Sequence, residues 1–349
     1  MRLASLQLFG MGPLTGAKLA FGEQPRAMTV LFGGDGVGKT SVLAAIGSTR
    51  PGHAIPLVPR RARIVEDEPR EVPFAVSEWM LGDDDTERPH SLRVVSPNAQ
   101  LGDQDGEATL RRREQALFDK RAHEHGGYAF TAFSGARWFS RAPLVLASPE
   151  RTVMRYDPRV SPSFDDATRA DMTRDVKQAL AFAAIGAALE KNSGEVAAFD
   201  AALREVASVV LAPFRAEYTG AHPKTLEPLF AIEHRDAIFE DLPRGARHLL
   251  AIATLSVRTL AAAYAGAERP VREREGLVVV DDLEAQQDAR LLRHLPALLK
   301  TALPRVQWIV TTSSPAVTLG CERGEVIALR REPEGERVVV HDDAFAILH

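Results

Sequence analysis

Residues 33–40 read Gly-Gly-Asp-Gly-Val-Gly-Lys-Thr, and no other stretch of the 349-residue chain restricts its fold as strongly. They match G-x-x-x-x-G-K-[ST], with the apolar run Met28–Phe32 before them and the helical pattern Ser41–Ile46 behind them, so strand, loop and helix follow in the order the motif needs. A Gly-rich turn with an incidental Lys would match the pattern in about one chain in a hundred of this length, before the flanking strand and helix are required. The pattern predicts a phosphate-binding loop. Gly33, Gly36 and Gly38 let the backbone wrap closely enough for its N–H groups to face phosphate oxygens, at the positive end of the following helix. Gly34, Asp35, Val37 and Ser41 complete the expected nucleotide-binding segment. Lys39 is expected to bridge the β- and γ-phosphates and to act in catalysis, and Thr40 to ligate Mg²⁺.

Composition sets the remaining bounds. With 45% hydrophobic and 26% charged residues the chain reads as an ordinary soluble globular protein of one elaborated domain or two. A net charge of −4 and a pI of 6.2 argue against a surface that attracts nucleic acid as a whole, while leaving room for a local basic groove. The single cysteine, Cys321, excludes an internal disulfide and a cysteine-built metal site, in keeping with a reducing cytoplasm. No apolar run approaches the ~20 residues that span a bilayer, and Gln7, Gly10 and Gly12 interrupt any signal-peptide core, so no membrane partner is expected.

Along the chain, Arg2–Leu8 and Lys18–Phe21 read as strands around a Gly/Pro turn, Gly10–Gly16. Glu71–Leu81 and His90–Val95 read as a hairpin whose acidic tip, Gly82–Asp85, is a solvated turn rather than a metal site. Ala108–His125 has helical character, and its run Arg111–Arg113 reads as a solvated face. Tyr128–Phe133 is an expected strand. Asp165–Leu211 is helical, with Val176, Leu180, Ala183 and Ile185 on one face and Phe199, Leu203, Val206 and Val210 on the next, broken at Asn192-Ser193-Gly194. Phe214–Tyr218 and Leu229–Glu233 return to strand, and Leu249–Leu260 is an almost wholly apolar helix. Leu277–Asp282 has the form of a buried strand ending in two carboxylates. Paired with the phosphate loop it reads as a Walker B segment, with Asp281 positioning Mg²⁺ beside Thr40 and Asp282 orienting or deprotonating the attacking water. Leu291, Leu292, Leu295, Leu298 and Leu299 give a core face to a helix that includes His294, a surface or packing histidine. Val306–Val310, Glu325–Arg330 and Arg337–Val340 are closing strands.

Two stretches carry a resemblance. LASLQLFGMGPLTGAKLAFGEQPRAMTVLFGGDGVGKTSVLAAI resembles the opening of the RecF, SMC and OLD-like branch of ABC-type ATPases, in which an edge hairpin leads straight into the nucleotide loop. DDLEAQQDARLLRHLPALLKTALPRVQWIVTTSSPAV is similar to the OLD-like pattern DExExHLHP, helix, FPxxQxIxTTHSP. The resemblance implies an α/β P-loop NTPase with an ABC-type head: a mostly parallel central sheet, an antiparallel edge sheet and an inserted helical lobe. It implies an N-terminal ATPase lobe over residues 1–163, the helical lobe over 164–213 and a C-terminal ATPase lobe over 214–349. The insert is too short, and lacks the heptads, for an SMC coiled coil.

Four positions depart from the resembled pattern. Asp241–His248 stands where the signature, commonly LSSGE or LSGGQ, meets the other subunit's γ-phosphate. Leu242 and Gly245 match, Pro243 replaces the Ser and Arg244 replaces the first Gly. Arg244 and Gly245 are the expected contacts, with Arg247 an alternative source of charge; the other reading is a helix entry with no catalytic part. Asp282 stands for the catalytic Glu, about 1.5 Å shorter in reach. Ser313 stands for the switch His. No Gln follows the strand ending at Phe133, and Arg137 is expected as a phosphate or interlobe contact instead. The Toprim segment of a full OLD nuclease is not expected to follow.

These readings imply a Mg-ATP-dependent ATPase, sandwiching ATP with itself or a related ATPase to switch an unidentified effector, in DNA maintenance or phage defence by analogy. Turnover is expected to be slow, and Asp282→Glu together with Ser313→His to speed it. A nucleotide-binding scaffold or sensor with little hydrolysis is the competing reading. A kinase or GTPase is disfavoured by the lack of N-K-x-D and by the Walker B spacing.

Overall fold

The computed structural model describes residues 2–14, 16–22, 26–51, 73–80, 92–96, 129–144, 171–191, 194–264, 268–332 and 338–341. The expected acidic tip at 82–85, the basic run at 111–113 and the lobe boundary at 163/164 lie outside them.

In chain order, the described elements begin with β1 (Arg2–Phe9), β2 (Lys18–Ala20) and β3 (Met28–Phe32), followed by α1 (Lys39–Ser48). Then come β4 (Phe74–Met80), β5 (Leu92–Val95) and β6 (Ala129–Phe133), and the helices α2 (Thr173–Leu189) and α3 (Glu195–Leu211). β7 (Ala216–Ala221), β8 (Pro228–Ile232) and β9 (Arg235–Ile238) precede α4 (Arg244–Ala263) and β10 (Gly276–Val280). The chain closes through α5 (Leu295–Ala302), β11 (Val306–Thr312), β12 (Val326–Arg331) and β13 (Val338–His341).

Three sheets result. The central one has the order β13-β12-β3-β11-β10-β6, parallel throughout except for the β12–β13 pair. The edge sheet, β2-β1-β4-β5, is antiparallel, and β7-β8-β9 form a third, antiparallel sheet.

The central strands are buried on both faces, as parallel strands covered on both sides must be. Residue parity splits them between two cores. Met28, Val30, Val278, Val280, Trp308 and Val310 face the core shared with α2, α3, α4 and the β7–β9 sheet. Leu31, Leu277, Val279 and Ile309 face the one shared with α1 and the edge sheet. Gln307 is a polar exception: fully buried on β11, it accepts from the Leu3 N–H (2.7 Å) and donates to the Leu3 carbonyl (2.9 Å), pinning β1 to the central sheet. Both bonds satisfy backbone groups that burial would otherwise leave costly. On the other side, the buried ammonium of Lys177 on α2 pairs with Glu227 (2.7 Å) and Glu240 (2.8 Å), clamping that helix to the approach to α4.

Three elements differ from the sequence reading. β9 follows β8 through the two-residue turn Glu233-His234, both at positive φ (49° and 68°), where no Gly or Asn announces a hairpin. Phe214 belongs to a 3-10 turn, with Pro213 inside it, and the strand begins at Ala216. The helix expected across Leu291–Leu299 starts only at Leu295, because Pro296 takes a first-turn position where its missing N–H is tolerated. Leu292–His294 form a separate 3-10 turn, and His294 is exposed there, accepting from Arg293 at 3.0 Å.

Candidate functional site

Parallel pairing brings three strand ends together. Phe32 pairs with Thr312, and Val280 with Val310 and Phe133, so residues 33, 281 and 313 leave the same edge of the sheet side by side. This carboxyl edge is where open α/β sheets place ligands.

The phosphate loop runs from β3 to α1. Gly33 donates to the Thr312 carbonyl at 3.3 Å, and a Cβ there would lie 2.5 Å from the Leu329 carbonyl oxygen, so only Gly fits. Gly34, Asp35 and Gly36 form the exposed crest, while Val37 is buried against the edge-sheet core. Gly38 caps α1 at φ 95°, and any Cβ would meet Leu14 at 2.7 Å. Lys39 and Thr40 then open α1, with Ser41 half-buried in its first turn. The Lys39 ammonium lies inside the loop, donating to the carbonyls of Gly33 (2.7 Å) and Gly34 (2.9 Å).

Thr40 directly reaches the carboxylate that follows β10. Its hydroxyl donates to Asp281 Oδ2 at 2.9 Å, and the Thr311 hydroxyl donates to Oδ1 at 2.6 Å while accepting the Asp282 N–H at 2.8 Å. This hydroxyl and carboxylate are hard oxygen donors of the kind Mg²⁺ takes, and that ion keeps several waters, so the donor set fits it.

Asp282 sits at φ 48°. That left-handed conformation suits Asp better than the longer Glu, which gives a backbone reason for the shorter residue. Its carboxyl is pushed above the usual range by burial, then by the neighbouring Asp281 and Glu284 charges. A carboxyl moved this way is better suited to accept a proton.

Arg137 lies behind the end of β10. It is buried, 6% exposed, and its guanidinium donates to the carbonyls of Ser134 (2.7 Å) and Asp282 (2.8 Å) and to that of Asp281. It holds the turn that follows β10, and burial pushes its pKa down to about 10 against the pull of Asp281, Asp282 and Glu284. Its position after the β6 strand was visible in the sequence; its burial was not.

The signature-like segment lies at the start of α4. Arg244 opens α4 and is exposed; Gly245 is buried, its carbonyl accepting from Gln287 Nε2 at 3.3 Å, and a Cβ there would lie 2.9 Å from Gln287 Oε1. Arg247 lies over the Phe139 ring (5.8 Å), and His248 meets that ring edge-on at 5.0 Å. These contacts tie the start of α4 to the segment after β6. Sequence reasoning missed Glu284, which accepts from both the N–H (2.7 Å) and the hydroxyl (3.0 Å) of Ser313, although its place in the DExE pattern was an available signal.

The fold is that of SMC head domains, with a phosphate-loop motif at residues 33–40. The chain aligns over 98% of its length with 99% of the SMC head domain from Thermotoga maritima (TM-score 0.51, 14% identity). It aligns over 99% with 99% of an SMC head crystallised with the C-winged helix domain of ScpA (TM-score 0.52, 13% identity). The AAA_27 family, an AAA domain, matches residues 1–53. Septu protein PtuA of Bacillus mycoides (strain KBAB4) is 27% identical over 113 residues, a stretch that covers 32% of this chain and 15% of that protein. No helix among the described residues is long and apolar enough to cross a membrane.

Proposed function

We propose that the chain binds Mg-ATP at residues 33–41, hydrolyses it slowly, and pairs with a second copy or a related ATPase around the nucleotide to switch an effector protein. The observation that supports this is the Thr40–Asp281–Thr311 chain of hydrogen bonds beside Lys39, which brings together, from distant parts of the sequence, the groups that a triphosphate and its metal would need. Bound Mg²⁺ would neutralise charge developing on the phosphates. Thr40 and Asp281 would hold it, Lys39 would exchange its two carbonyl partners for phosphate oxygens, and Asp282 would take the proton of the attacking water. Arg244 and Gly245, or Arg247, would meet the γ-phosphate held by the partner copy, as the signature of the resembled branch does.

We keep the OLD-like branch as our reading of the pattern over 281–317, and with it a cytoplasmic setting in phage defence or DNA maintenance. The partial likeness to Septu protein PtuA is compatible with that setting. One of the similar heads was crystallised with a ScpA domain, and by analogy we expect a protein effector here. The test is calorimetry with Mg-ATP: Lys39→Ala should lose most of the affinity, and unchanged binding would remove the proposal. Light scattering with a non-hydrolysable analogue should show a dimer; a monomer under every condition, including with copurifying proteins, would sink the sandwich.

A second reading, a nucleotide-binding scaffold or sensor with little turnover, is favoured by one feature: the switch position holds Ser313, whose donors are taken by Glu284. Phosphate release by pure protein separates the two.

A further inference from the structure

Ser313 leaves β11 next to the phosphate loop, because Phe32 pairs with Thr312 and the Gly33 N–H donates to the Thr312 carbonyl. It brings two donors to that edge, and both go to one atom, Oε1 of Glu284, at 2.7 and 3.0 Å. The other oxygen, Oε2, is buried with no hydrogen-bond partner, an arrangement that costs free energy for as long as it lasts. Glu284 is also the third carboxylate in four residues, after Asp281 and Asp282. A phosphate arriving at this edge would compete with Glu284 for the Ser313 donors and be repelled by its charge.

We propose that Glu284 is a positioning residue that distinguishes a nucleoside triphosphate from a diphosphate: it holds both donors of Ser313 and yields them to a terminal phosphate. This rests on the Mg-ATP reading above. A diphosphate seated on the loop N–H groups and Lys39 does not need those donors, so it leaves the Ser313–Glu284 pair closed. A triphosphate opens the pair and moves the 313–314 turn, which makes occupancy by the third phosphate legible at the protein surface. Charge-assisted hydrogen bonds are roughly twice as strong as neutral ones, so neutralising Glu284 loosens the pair without removing it.

The experiment is calorimetry on the full chain with Mg-ADP and with Mg plus a non-hydrolysable ATP analogue. Glu284→Gln should bind the analogue about tenfold more tightly, the change expected from losing one charge-assisted bond and one nearby repulsion, and bind ADP within about twofold of wild type. Ser313→Ala should weaken the analogue with ADP unchanged, and in the Glu284→Gln background should cancel most of the gain. If Glu284→Gln fails to fold, the Ser313→Ala ratio alone decides. Equal shifts for both nucleotides, or none, overturn the inference while leaving the Mg-ATP reading intact. A wild type that binds neither nucleotide removes that reading and this inference together.

Discussion

The carboxylate of Asp282 rests against the bare Cα of Gly135: a Cβ on Gly135 would lie 2.6 Å from Oδ2 and 3.3 Å from Cγ. The residue proposed as base is therefore held from below by the loop after β6, while Arg137 of that same loop fixes its carbonyl at 2.8 Å. Position and orientation of the carboxylate come from a segment that never meets the phosphate loop in sequence.

Gly135→Ala should therefore act on turnover without acting on binding. The added methyl displaces Asp282 by part of an ångström, and a misplacement on the order of 1 Å costs roughly 100-fold in rate. Phosphate release should fall by about ten- to 100-fold, with ATP affinity within about twofold of wild type. Wild-type turnover in this variant would show that Asp282 does not act from its observed position.

The turnover expectation for Asp282→Glu with Ser313→His is sharpened by the backbone. Asp282 is at φ 48°, so a Glu there gains reach and takes on strain of about 1 kcal/mol, enough to offset much of the benefit. Ser313→His also breaks the contact with Glu284 and brings a donor to the edge where phosphate charge develops, a contribution typically of several kcal/mol when well placed. Ser313→His should speed steady-state phosphate release more than Asp282→Glu does, with Asp282→Asn as the inactive control. A wild type faster than either variant would mark the site as complete without those groups.

How much of this was legible in the sequence depended on where each signal lay. The phosphate loop and the Walker B strand announce themselves locally, as apolar runs ending in Gly or Asp, and their strand identities follow from composition alone. β9 did not, because Glu233-His234 makes its turn with residues that seldom adopt positive φ. The Leu291–Leu299 periodicity persists through a segment whose backbone is reset by Pro296. The Glu284–Ser313 pair spans 29 positions and exists only because β10 and β11 are neighbours, so no local pattern encodes it. Arg137 reads as a phosphate or interlobe contact, and its burial against the carbonyls of Asp281 and Asp282 comes only from the fold.

Acid sensitivity should track His248. It is 3% exposed, and burial, followed by the charges of Arg137 and Arg247, lowers its pKa to about 3 from an ordinary 6.5. The folded chain thus keeps it neutral, while the unfolded chain takes up a proton below about pH 6.5, so stability is lost as pH falls from there toward 3. From pH 7.5 to pH 5 that single group removes about 2 kcal/mol. Urea titrations of wild type and His248→Phe should differ in their pH dependence by this amount; parallel curves would mean His248 is protonated in the folded state.

Gln307 has a consequence for how the chain tolerates change. β10, and the Trp308–Val310 centre of β11, are apolar on both faces, so sliding either by one residue would exchange one greasy surface for another, and hydrophobicity alone cannot tell the right alignment from the wrong one. On β11 that information resides in two polar side chains on the same face, Gln307 gripping the Leu3 backbone and Thr311 gripping Asp281. They work like the teeth of a key in an otherwise smooth shaft. Swaps among Val, Ile and Leu at the intervening positions leave the alignment defined, whereas losing both teeth would leave a strand that still prefers the interior but no longer knows where along its neighbours to stop.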